Sequence, residues 1–169
     1  MNLLFNLILA GYVAALIVAI INLFPKRPFL DWAVNALLAA ANVAQLVYIT
    51  GRWVEAGRPP FSNMFESLVL FSWAMVLVYL VIRIRFHVPV LGAASALMTI
   101  LTLAYASWKF APTIEPLVPA LRSNWLTFHV FTCFLGYAGF AISFIAAILY
   151  LIMARRPGDA AAPSGDAME

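Results

Sequence analysis

The chain has 169 residues, of which 65% are hydrophobic and only 10% charged. A soluble domain needs roughly 25% charged residues to face water, so this composition excludes one. The net charge of +3 lies in short clusters between apolar runs, which excludes a basic nucleic-acid face and reads as a topology signal.

About 20 apolar residues in a helix cross a ~30 Å hydrocarbon core. Several runs of that length predict an all-α fold, a polytopic transmembrane helical bundle of about five helices. The first run spans Leu3 to Phe24. No positive residue precedes it and no small-x-small cleavage pattern follows, so it is expected to be a retained helix rather than a signal peptide. The second spans Phe29 to Thr50, the third Met64 to Ile82, the fourth Val88 to Trp108 and the fifth Leu126 to Met153. Short turns at Pro25 to Pro28 and Arg83 to His87 alternate with long loops from Gly51 to Asn63 and from Lys109 to Trp125. Residues 1–153 thus form the membrane domain, and residues 154–169, rich in Ala, Pro, Gly and Asp, are expected to be a disordered cytoplasmic tail.

Helices alternate sides. Lys26, Arg27, Arg83, Arg85, Arg155 and Arg156 fall on one side, and Arg52, Arg58, Lys109 and Arg122 on the other. The first group sits against helix ends in short connections, where positive residues mark the inner side, so the N-terminus is expected outside and the C-terminus inside. Both long loops then face outward, where a site has room.

The second loop enters the third run as GRPPFSNMFES, Gly57 to Ser67. Asn63 followed by Glu66 matches a helix N-cap with its reciprocal glutamate. Glu66 and Arg58 can equally form a polar site at the membrane boundary, because a carboxylate there needs a partner. Five tryptophans, Trp32, Trp53, Trp73, Trp108 and Trp125, lie mostly near predicted helix ends and suit an interfacial belt. The fourth loop enters the fifth run as LVPALRSNWLTFHV, Leu117 to Val130, with His129 about one turn inside. A neutral imidazole there suits axial ligation of haem iron, or simply a hydrogen bond to a neighbouring helix. Thr132, Cys133 and Gly136 follow at helical spacing, a stripe of small residues that a flat ring or another helix can approach. His87 is expected on the inner side, in a basic anchor. Cys133 is the only cysteine, so no internal disulfide, cysteine-based zinc site or Cys-x-x-Cys-His haem attachment can be built from this chain alone.

Together the two loop segments, GRPPFSNMFES and LVPALRSNWLTFHV, resemble the paired signatures of the CcsA/ResC family of cytochrome c biogenesis proteins. The resemblance covers the N-terminal half of the family pattern, which continues with a tryptophan-rich haem-binding segment, a further external histidine and more helices. It implies a component of a haem-attachment (synthase or haem lyase) system of the bacterial inner membrane, holding haem b at the outer face for transfer to apocytochrome c. His129 matches the family's first external haem-ligating histidine and is its expected iron ligand. Trp125, Arg58 and Arg122 are candidate walls or propionate partners, since a planar guanidinium pairs with carboxylates, and Glu66 joins the same polar site. The implied partners are a second membrane polypeptide carrying the tryptophan-rich half and a ResB/CcsB-type protein. The alternative is a non-catalytic membrane assembly factor or transport subunit that does not bind haem.

Overall fold

A computed structural model describes residues 2–23, 27–86, 88–114 and 123–154. Its helices in chain order are α1 (Asn2–Asn22), α2 (Pro28–Ala56), α3 (Met64–Arg85), α4 (Pro89–Lys109) and α5 (Asn124–Ala154). All five are long and apolar enough to cross a membrane, as the composition predicts. Pro28 and Pro89 open α2 and α4 at a position whose N–H would have no helical partner. His87, Arg122 and the expected tail of residues 154–169, except Ala154, which ends α5, lie outside the described residues.

The helix α1 packs against α2 and α4, while α3 packs against α4 and α5. Small residues permit the close crossings. The α-carbon of Gly92 stands so near α3 that a Cβ there would lie 2.4 Å from the Tyr79 hydroxyl. Buried amides then lock the register. The Tyr12 hydroxyl donates to Gln45 Oε1 at 2.7 Å, and Gln45 Nε2 donates to the Val69 carbonyl and to Ser72 Oγ, each at 2.9 Å. Asn42 Nδ2 donates to the Trp73 carbonyl at 3.0 Å. Polar groups left unpaired in such an interior are costly, so each contact penalises any sliding of α2 against its neighbours.

The second helix is longer than its sequence suggests. Instead of ending near Thr50, α2 runs to Ala56. Its buried residues Leu38, Ala41, Gln45, Tyr48 and Arg52 recur every three or four positions, and this stripe passes through Gly51 without a break. The stop comes at Gly57, whose φ of 62° is the left-handed conformation that closes helices.

At the α2 start and α3 end, Arg83 is not the free topology charge its sequence position suggests. It is largely buried and forms an ion pair with Asp31, beside a 2.9 Å hydrogen bond from the Tyr79 hydroxyl to Asn35 Oδ1. By contrast α5 is thinly covered. Ala138, Ile142 and Ile145 are buried, while Phe128, Phe140, Phe144 and Tyr150 are exposed.

Candidate functional site

The ends of α2 and α4 meet the starts of α3 and α5 at the same end of the bundle, bringing both long connections together. At α3, Asn63 adopts an extended conformation and its Oδ1 accepts from the Glu66 N–H at 2.8 Å, so the predicted N-cap is present. The reciprocal contact differs from a capping box. The Glu66 carboxylate accepts from the Ser62 N–H at 3.0 Å, one residue before the cap, because two arginines draw it inward.

Those arginines are Arg58 and Arg52. Arg58 Nη1 donates to Glu66 Oε2 at 2.9 Å and to Ser62 Oγ at 2.8 Å. Arg52 Nη2 donates to Glu66 Oε1 at 3.1 Å, and the Glu66 side chain has no exposed surface. Glu66 is therefore an ion-pair member as expected, and the backbone contact of its carboxylate is to Ser62 rather than to the cap residue Asn63. Arg52 was missed as a site residue, since a helix ending near Thr50 leaves it as a surface charge in a loop. The signal that could have found it is its place seven residues after Gln45, on the buried stripe.

Arg52 reaches further than Arg58. Its Nη1 donates to the Pro112 carbonyl at 3.1 Å and its Nη2 to the Thr113 carbonyl at 3.4 Å. Asn63 Nδ2 also donates to the Thr113 carbonyl, at 2.9 Å. The guanidinium carbon lies 5.4 Å from the centre of the Phe65 ring, within cation–π range. These contacts bind the first long connection to the second. The next residue, Trp53, stacks on Phe131 of α5 at 6.1 Å between centroids.

His129 lies two residues before Phe131, on an exposed part of α5. Among the described residues its polar neighbour is Cys133, whose Sγ is 3.6 Å from Nε2 and 3.9 Å from Nδ1. A thiol is a weak hydrogen-bond partner, so the ring nitrogens are available to a stronger ligand. Below it, the small-residue stripe is open: Thr132 is exposed, and a Cβ added to Gly136 would meet nothing within 4 Å. Trp125, at 85% exposure, stands at the start of the same helix. Trp32, Trp53 and Trp108 also lie near helix ends, as a belt requires, whereas Trp73 is central in α3. Hence Arg58 and Glu66 join with Arg52, and Trp125 and His129 share a helix. Among the described residues no cluster of three or more His, Cys, Asp and Glu side chains could hold a metal ion.

Comparison with known proteins places these segments. The chain is 35% identical over 135 residues to the cytochrome c biogenesis protein CcsA of Nostoc punctiforme, covering 78% of this chain and 38% of that protein. It is 37% identical over 122 residues to CcsA of Prochlorococcus marinus, covering 69% of this chain and 38% of that protein. CcsA of Thermosynechococcus vestitus is 33% identical over 133 residues, covering 77% of this chain and 42% of that protein. The chain thus spans about two fifths of the length of these relatives. With its five apolar helices it is a multi-pass membrane protein. The sequence model for the cytochrome C assembly protein matches residues 61–163, from the α2–α3 connection through α5, and the chain belongs to that family.

Proposed function

We propose that this protein serves cytochrome c maturation in the bacterial cytoplasmic membrane, holding haem b at the outer face for transfer to apocytochrome c. The observation that carries this reading is His129: an exposed imidazole with a thiol as its polar neighbour among the described residues, on the family-matched part of the chain. A lone histidine is poorly suited to a bare cation, which needs three or four protein ligands. It suits iron that arrives with four porphyrin nitrogens and lacks only axial ligands. The open stripe of Thr132 and Gly136 leaves space for the edge of a flat ring, and Trp125 offers it an aromatic wall.

In this reading Arg58, which donates to Glu66 and Ser62, supports the connection together with Glu66. Arg122, which precedes α5, keeps the propionate role in this reading. Thioether formation adds a thiol S–H across a vinyl C=C with no leaving group, so the protein's contribution is to hold and orient the haem.

One external histidine supplies one axial ligand. The second is assigned to a partner membrane polypeptide carrying the tryptophan-rich half of the family pattern, with a ResB/CcsB-type protein in the same assembly. The N-terminus faces outward, which puts His129 and both long connections on the outer side.

The test is His129→Ala in the assembled complex. Haem per protein should fall while protein abundance holds, and added imidazole should restore part of the Soret absorbance by entering the vacated space. His87→Ala is the control and should leave the spectrum unchanged. Full haem content in His129→Ala removes the ligand assignment. A complex that lacks a Soret band with its partner present favours the alternative, a non-catalytic assembly or transport subunit.

A further inference from the structure

We propose that Arg52 is a positioning residue: by bridging the Glu66 carboxylate to the Pro112 and Thr113 carbonyls, it fixes the end of α2, where the next residue, Trp53, stacks on α5, and therefore where His129 stands. Its consequence for haem rests on the His129 reading, whereas its geometry does not.

The residues just after α4, through 114, have no regular secondary structure, so their carbonyls have no partner in a helix or sheet ladder. Such groups must be satisfied individually near hydrocarbon. Two of them, at Pro112 and Thr113, accept from side chains of the α2–α3 region, namely Arg52 and Asn63. Arg52 is 2% exposed, and its charge is held in place on the far side by Glu66 Oε1. The planar fork can span a carboxylate and two carbonyls at once. A lysine, with one nitrogen, cannot do so from the same backbone position. The Trp53–Phe131 stack gives the helix of Arg52 a second hold on α5, two residues past His129. The end of α2 thereby touches the chain before His129, at Pro112 and Thr113, and after it, at Phe131.

In membranes prepared without haem, Cys133 provides a reporter of how α5 is held. It is the only cysteine in the chain, half-buried, with Sγ 3.6 Å from His129 Nε2. Its alkylation by N-ethylmaleimide in membranes carrying the full chain reads how firmly the start of α5 is held. With Arg52→Gln, alkylation should accelerate by roughly tenfold, the change in an opening equilibrium expected from losing one charge-assisted hydrogen bond. Arg52→Lys keeps the charge beside Glu66, should accumulate normally, and should give a smaller acceleration. Gln45→Leu is the comparison, because it removes an equally buried contact between α2 and α3 that does not touch the second connection. It should lower thermal stability and leave alkylation unchanged.

In the assembled complex, Arg52→Lys should also shift the Soret maximum or lower haem retention at unchanged protein level, and Gln45→Leu should not. Unaltered alkylation in both Arg52 variants, or an equal acceleration in Gln45→Leu, overturns the proposal. If His129→Ala keeps its haem while Arg52→Gln still speeds alkylation, the ligand reading fails and the positioning of α5 stands.

Discussion

Two regions at the same end of the bundle treat polar side chains in opposite ways. Around Glu66 the charges are buried and bonded: two arginines and a serine N–H surround one carboxylate, and Arg52 also donates to the carbonyls of a neighbouring connection. Around His129 the side chain is exposed, and among the described residues a thiol is the polar group near the ring. The difference separates holding from binding. A buried network of paired charges has little room for a ligand, but it strongly penalises any rearrangement that unpairs its members. An exposed imidazole contributes little to the fold and is free to take a ligand. Charge near a membrane boundary is therefore an ambiguous sign of function until its partners are known.

The largest effect that would sharpen this contrast is expected from Glu66→Leu. It strands the Arg52 and Arg58 guanidinium groups beside an apolar side chain, and breaking a buried pair in this way costs about 3–5 kcal/mol. Cellular accumulation should collapse, measured as membrane-inserted protein against the parent. Normal accumulation and melting of that variant would show that the cluster does not hold the fold, and would remove the distinction drawn here. A smaller loss is expected from Asn63→Ala, which removes both the α3 cap and the bond to the Thr113 carbonyl. Loss of a cap costs about 1 kcal/mol, so melting should fall by a few degrees with insertion intact. The smallest structural effect belongs to His129→Ala. No shift in melting temperature of the haem-free protein is expected, because the side chain is exposed and its neighbour is a weak partner. A melting loss as large as that of Asn63→Ala would show that His129 packs against the fold, and would blur the two regions into one.

The sequence by itself determined the number of helices, because hydrocarbon demands about 20 consecutive apolar residues and self-contained backbone hydrogen bonds, and both are local properties. It also determined the cap at Asn63, since a short polar side chain before a helix satisfies N–H groups only a few residues away. The family was legible for a similar reason: its two signatures are continuous segments, GRPPFSNMFES and LVPALRSNWLTFHV. Only the tertiary structure decided what the charges do. Whether Arg52 is a loop charge or a buried anchor depends on where α2 stops, and the stripe from Leu38 through Gln45 to Arg52 outweighs Gly51 only because α1 and α3 are there to cover it. The partners of Arg52 are Glu66, fourteen residues on, and the carbonyls of Pro112 and Thr113, some sixty residues on. Backbone carbonyls carry no side-chain signature, so no pattern in the sequence could announce that pairing. The same holds for the exposure of His129, which follows from α5 being covered on its Ala138, Ile142 and Ile145 side alone. Local chemistry is written residue by residue, whereas burial and charge pairing exist only once helices distant in the chain have packed.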